Sequence, residues 1–213
     1  MAKRVSFLVD GFNVYHSIKE AMRDTGNPSL RWLDLRALLS SYLSVFGTEA
    51  VLEDIFYFTA YAHHLTGDNP DVVTRHQTYV TALKNAGVTV EVARFKKKSV
   101  MCPECRHRIK RHEEKETDVS IAVKALEILH QDRCDALVFV SGDTDLAPAA
   151  RAAKRMFPER QVCFAFPHKR MNTELQQLAD FSFRLRPALY AKHQLPDRVP
   201  LPSGRELRKP TSW

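Results

Sequence analysis

Two rhythms of apolar residues alternate along the chain. One is the short, nearly continuous run expected of strands buried on both faces: Arg4-Val-Ser-Phe-Leu-Val9, Ala136-Leu-Val-Phe-Val140 and Gln161-Val-Cys-Phe-Ala-Phe166. Glu53–Tyr61 and Val88–Val92 read as further strands by their β-branched and aromatic content. The other rhythm is helical. It places Val14, Ile18, Ala21 and Met22 on one side of Phe12–Asp24, and a stripe from Trp32 and Leu35 to Leu43 behind Asp34, an N-cap residue type. Val72–Asn85 is a helix ending at Gly87, and Ile121, Ala122, Ala125, Leu126 and Leu129 define another with Thr117 as its N-cap and Asp118 in its first turn. Leu146–Met156 and Thr173–Asp180 complete the helices, and Phe183-Arg-Leu185 is expected as a last edge strand. Strand-then-helix alternation predicts an α/β domain with a mainly parallel central sheet and right-handed crossovers.

Carboxylates stand where the strands stop. The first strand runs into Asp10-Gly11-Phe12-Asn13, the strand at Ala136 into Ser141-Gly142-Asp143-Thr144-Asp145, and Asp118 enters a helix. In open α/β sheets, ligands bind beyond the carboxyl ends of the strands, where the strand order reverses. If the two strands are neighbours, Asp10, Asp118, Asp143 and Asp145 converge, and their repulsion calls for a divalent cation. Oxygen-only ligands favour Mg²⁺ or Mn²⁺. Each acid alone has a structural use, as a helix cap or a turn former; capping does not explain all four together.

Composition adds a polyanionic partner. With 32 Lys and Arg against 25 Asp and Glu, the formal charge is +7 and the pI about 9.3, a balance that favours phosphate contacts with a nucleic acid. At 213 residues, 44% hydrophobic and 27% charged, the chain fits one globular domain. No apolar run approaches the roughly 20 residues needed to span a membrane, and MAKRVSFLVDG reads as a strand without a signal-peptide cleavage site, so a cytoplasmic location is expected. Cys134 and Cys163 lie near or within core strands and need no bridge.

The blocks VDGFNVYH, EKETDVSIAVKAL and VFVSGDTDLAP, with the helices between them, resemble the NYN family, relatives of the PIN-domain nucleases, over roughly residues 3 to 186. The resemblance implies a three-layer α/β/α PIN-like fold and metal-dependent cleavage of RNA. It carries Asp10, Asp118, Asp143 and Asp145 over as the acidic metal site and Asn13 as the asparagine following the first acid. Lys115 falls where many members have a basic residue before the second acid. Many relatives have glycine just before that acid, where this chain has Glu116-Thr117. The expected organisation is a nuclease domain over residues 1–186, with a basic CxxC insertion at 96–114, and an extended basic tail over 187–213 with prolines at 187, 196, 200, 202 and 210.

The insertion is too polar for a core element. Cys102 and Cys105 have zinc-knuckle spacing, with His107 and His112 as further ligands for a structural Zn²⁺; an exposed thiol pair is the plainer reading. Lys96, Lys97, Lys98, Arg106, Arg108, Lys110 and Arg111 make it the densest basic patch, suited together with Lys115 to holding a phosphate backbone. His63 and His64 read as ordinary loop-edge histidines, and Phe12 and Tyr15 as core packing rather than base stacking.

These features together predict a Mg²⁺- or Mn²⁺-dependent ribonuclease acting on single-stranded or unpaired RNA, with Asn13 orienting water or phosphate. The alternatives are a catalytically silent RNA-binding module of the same fold and a DNA-directed nuclease, since carboxylate-and-metal chemistry needs no 2′-hydroxyl. A haloacid-dehalogenase-type phosphatase is disfavoured because Asp10 is not followed two residues later by a second aspartate. A homo-oligomer is left open.

Overall fold

The structure, a computed structural model, describes residues 2–101, 104 and 108–213, and the side chains of 2–95, 101, 104, 108 and 116–213. In chain order the elements are β1 (Arg4–Asp10), α1 (Gly11–Thr25), α2 (Leu35–Ser40), β2 (Val51–Ala60), α3 (Val72–Asn85), β3 (Thr89–Met101), β4 (Arg108–Lys115), α4 (Thr117–His130), β5 (Ala136–Val140), α5 (Ala147–Met156), β6 (Gln161–Phe166), α6 (Thr173–Leu178), β7 (Phe181–Arg184), α7 (Pro187–Lys192), β8 (Arg198–Pro200) and β9 (Glu206–Arg208). Seven strands form the main sheet in the order β4-β3-β2-β1-β5-β6-β7. Every neighbouring pair is parallel except β3 and β4.

This order has one reversal point. The chain steps outward from β1 through β2 and β3 to β4, then α4 carries it back to lay β5 on the free side of β1. Divergent loops therefore leave the carboxyl ends of β1 and β5, opening the crevice in which α/β folds bind ligands.

Side-chain alternation builds the layers. Val5, Phe7 and Val9 of β1, with Ile55, Tyr57, Val138 and Val140, pack under Val14 and Ile18 of α1, Leu35 and Leu38 of α2 and Leu83 of α3. On the opposite face Leu8, Phe56, Phe58, Leu137 and Phe139 meet Ile121 and Ala125 of α4, Ala150 of α5 and Leu175 of α6. The expected α/β/α architecture is what is seen.

Several local expectations are corrected. The stretch around 96–114 does not interrupt the sheet: β3 runs on past its last pairing with β2, Ala93 with Ala60, and pairs with β4 from Arg94–Lys115 to Met101–Arg108. Strands so rich in lysine and arginine are tolerated because this antiparallel arm extends beyond the sheet's shared core. The residues after Pro187 are not an extended tail. They form α7 and the β8–β9 hairpin and pack on the α1–α3 face, with Trp32 Nε1 donating to Pro196 O (2.9 Å), Asn85 Nδ2 to Pro200 O (3.0 Å), and the Trp213 ring 6.2 Å from Trp32 and 5.7 Å from Tyr79. The helix from Asp34 stops at Ser40, with Asp34 accepting the Ala37 N–H as cap. Among the described residues no helix is long and apolar enough to cross a membrane.

Trp213 anchors this C-terminal segment through two aromatic contacts, each worth about 0.5–1.5 kcal/mol. Trp213→Ala is expected to lower Tm by roughly 3–6 °C, measured by thermal denaturation; an unchanged Tm would show that the segment adds nothing to the core.

Candidate metal centre

Asp10 is the last residue of β1 and the N-cap of α1. By alternation it shares the face of Leu8, the one α4 covers. The residue is 4% exposed, and burial pushes its pKa up against the opposing pull of its hydrogen bonds. Oδ1 accepts the Asn13 N–H (3.0 Å); Oδ2 accepts Asn13 Nδ2 (2.8 Å) and the Ser141 hydroxyl (2.8 Å). The β1–β5 register, Val9 beside Val140, carries on to set Asp10 next to Ser141.

The same two partners tie down the loop after β5. Asn13 Oδ1 accepts the Gly142 N–H (3.1 Å), and Ser141 Oγ accepts the Asp143 N–H (3.0 Å). Both ends of the Asn13 amide are thereby engaged with protein, so Asn13 braces Asp10 against the loop, and one N–H of its Nδ2 is left over from these bonds. Asp143 in turn accepts the Asp145 N–H (3.0 Å). Gly142 has no substitute here: a Cβ would lie 1.7 Å from the Arg170 carbonyl oxygen.

Asp118 arrives from the first turn of α4. Glu116, not Thr117, occupies the cap position, in left-handed backbone (φ 80°) that costs a side-chain-bearing residue about 1–2 kcal/mol. This is the conformation glycine adopts freely. Here the Glu116 carboxylate is used instead, in an ion pair with Arg94 (2.9 Å).

Oxygens of Asp10, Asp118 and Asp143 lie within 4.8 Å of one another. A divalent ion with oxygen ligands at about 2.1 Å sets opposite ligands about 4.2 Å apart, so three such oxygens can close on one ion through small side-chain rotations. Among the described residues the charges that act on Asp118 are negative. Burial, then the charges of Asp10, Asp143 and Asp145, push the Asp118 pKa up to about 6. The other acidic group, at the opposite sheet edge, behaves the other way: hydrogen bonds from Arg4, with Arg160 close by, hold Asp135 down at about 2. An all-oxygen donor set of three carboxylates fits a hard divalent cation.

Asp145 is exposed and lies outside the group of three, although its charge reaches Asp118. In the arm, Lys96, Lys97 and Lys98 sit in β3 opposite Glu113, His112 and Arg111, and Ser99 opposite Lys110. Their side chains, with those of His112 and Lys115, lie outside the described residues, as do Cys102, Cys105, Arg106 and His107; the zinc expectation falls there. Arg108 is described and exposed, far along the arm opposite Met101. Sequence reasoning missed Ser141, whose signal was its place directly after β5, and Arg170, which no spacing pointed to. Arg170 follows β6 in a loop pinned by Asp24 to His168 Nε2 (2.7 Å) and Lys169 Nζ (2.6 Å); its backbone touches Gly142, and its buried Nε has no hydrogen-bond partner among the described residues.

The NYN domain family model matches residues 4–185. This chain belongs to the NYN domain family. The matched segment begins at β1 and ends just after β7, so it contains every acid of the centre, and NYN domains have a PIN-like nuclease fold. Among solved structures, a protein of unknown function from Vibrio parahaemolyticus is similar at a TM-score of 0.58 and 18% identity, over 91% of this chain and 97% of that one. At that identity it speaks for the fold alone. No curated protein matches.

In the folded, metal-free NYN protein the Asp118 carboxyl titrates near 6, against about 4 when unfolded. The stability it contributes while protonated is therefore present below about pH 4 and lost as pH rises through 6. For a half-exposed group the loss is on the order of 1 kcal/mol after solvent screening. Asp118→Asn in EDTA at pH 7.5 is expected to raise Tm by about 2–4 °C, with the difference closing near pH 4. An equal or lower Tm for the variant at pH 7.5 would show that the repulsion is absent.

Proposed function

We propose that this NYN protein is a Mg²⁺- or Mn²⁺-dependent endoribonuclease that hydrolyses phosphodiester bonds in single-stranded or unpaired RNA. The observation that carries the reading is the convergence of Asp10, Asp118 and Asp143 at the sheet's reversal point, within a chain of net charge +7.

When bound, the divalent ion supplies a Lewis acid that activates water and offsets charge on the phosphoryl oxygens. Asp10 Oδ1 keeps a lone pair for it, Oδ2 being taken by Asn13 and Ser141. Asp118 and Asp143 would offer the other two carboxylates, while exposed Asp145, outside this group, would add its negative charge nearby. Asn13 and Ser141 fix the Asp10 and Asp143 loops, so little reorganisation remains when the reaction begins. Arg170 stands at the edge beside Gly142 with a guanidinium suited to a phosphate. The arm bearing Lys96, Lys97, Lys98, Lys110 and Arg111 leads from β3 and returns at Lys115 to the start of α4, a path along which a backbone is drawn to the acids.

Incubation of the full chain with unstructured RNA and Mn²⁺ is expected to yield internal cleavage that EDTA abolishes, and Asp118→Asn or Asp143→Asn is expected to slow it by about 10²- to 10³-fold or more. Cleavage undiminished in the double variant would exclude this centre as the catalyst. Salt-sensitive RNA binding without cleavage, unaffected by EDTA and by loss of the acids, would identify a silent binding module instead.

A further inference from the structure

Beside the acidic centre, five aromatic rings form a chain of contacts, with Phe12 and Tyr15 exposed and the other three partly so, that the hydrolytic chemistry does not use. Phe12 lies 4.9 Å from His16, 6.5 Å from Tyr15 and 6.3 Å from Phe95, Tyr15 lies 5.5 Å from His16, and Phe95 lies 4.7 Å from His64. The rings come from three elements: the first turns of α1, the turn after β2, and β3 where it leaves β2 to enter the arm. Phe12 and Tyr15 were expected to be core packing, yet Phe12 is 41% and Tyr15 43% exposed. Folding alone does not reward large rings left in water at that density; scattered single rings are ordinary, a joined set is not.

Position and charge indicate what covers them. Phe12 lies between Asp10 and Asn13 in sequence, so the rings begin at the metal centre, and they end at Phe95, immediately before Lys96, Lys97 and Lys98 on β3. Lys19 Nζ sits 5.7 Å from the centre of the Tyr15 ring, and the charges of Arg170 and Lys19 bear on His16. Flat apolar faces alternating with cations suit a polyanion whose own apolar faces are uncovered.

We propose that Phe12, Tyr15 and Phe95, flanked by His16 and His64, form a base-stacking platform that holds unpaired nucleotides of an RNA strand next to the scissile phosphate. The proposal rests on the ribonuclease reading for its substrate and adds the device by which paired RNA is refused: a base already stacked and paired in a duplex offers these rings no free face. The platform is indifferent to base identity, because every base has a π-face.

The test is binding of fluorescein-labelled oligouridylate and of an abasic strand of equal length by fluorescence anisotropy in EDTA, where no cleavage occurs. Wild type is expected to prefer the base-bearing strand by about five- to a hundredfold per engaged ring. Phe12→Leu with Phe95→Leu is expected to remove that preference while leaving abasic binding unchanged. Tyr15→Leu, a single change at an exposed site, is expected to reduce it and carries the test if the double variant does not fold. Equal binding of the two strands by wild type, or a preference intact in the folded variants, would overturn the platform. Wild type that cuts RNA with Mn²⁺ yet ignores bases would leave the nuclease reading standing; wild type that prefers bases yet never cuts would do the reverse.

Discussion

The constraint on which the rest depends is the buried carboxylate of Asp10. An ionised acid removed from water costs several kcal/mol unless donors replace its hydration. Here the donors are the Asn13 N–H, the Asn13 amide and the Ser141 hydroxyl. Asn13 in α1 and Ser141 after β5 also hold the loop that carries Asp143, Asn13 Oδ1 accepting the Gly142 N–H and Ser141 Oγ the Asp143 N–H. Satisfying one buried charge therefore also sets the spacing between β1, α1 and the β5 loop. Stability and site geometry are a single network here, and Gly142, pressed against the Arg170 carbonyl, lets the loop of β6 close on it.

The surrounding fold delivers the remaining parts. Reversal of strand order puts β1 and β5 side by side, and the return of the chain through α4 brings Asp118 to the same face. The chain keeps Glu116 in left-handed backbone at that junction, a local cost accepted where the helix must begin at a defined point above the sheet. Acids that serve only to hold the fold look different: Asp132 and Asp135 share Arg4 and Arg160 at the far edge. The two groups thus differ in their surroundings: Asp132 and Asp135 are paired with arginine, while among the described residues Asp10, Asp118 and Asp143 form no such ion pair.

Much of this was legible in the sequence because it is written in local patterns. The buried runs at Arg4–Val9 and Ala136–Val140 could only be inner strands, and carboxylates at their ends could only meet at the sheet edge once the strands were neighbours; adjacency itself came from topology that no spacing encodes. Asp34 was readable as a cap from residue type. The arm was not, because its strands lack apolar alternation: pairing with each other beyond the shared core, they need none, so a lysine-rich stretch looked like a break in the sheet. Thr117 looked like the cap because threonine suits that position, while the cap fell to Glu116 in a backbone region that residue preference disfavours. Phe12 and Tyr15 looked like core because aromatic residues usually are, and periodicity on α1 does not say which side a neighbouring element leaves open. The packing of residues after Pro187 depends on single long-range contacts, such as Trp213 with Trp32 and Tyr79, that leave no periodic trace.

The proposed chemistry requires Asp10, Asp118 and Asp143 to share one hard cation. Anomalous diffraction from a crystal of the full chain grown with Mn²⁺ tests it most directly. A peak among the three carboxylates, with Asp10 contributing Oδ1 while its Oδ2 stays bonded to Asn13 and Ser141, is the predicted result. A crystal at saturating Mn²⁺ with no peak there, and with the Asp118 carboxyl protonated and bonded to a neighbouring acid, would contradict it.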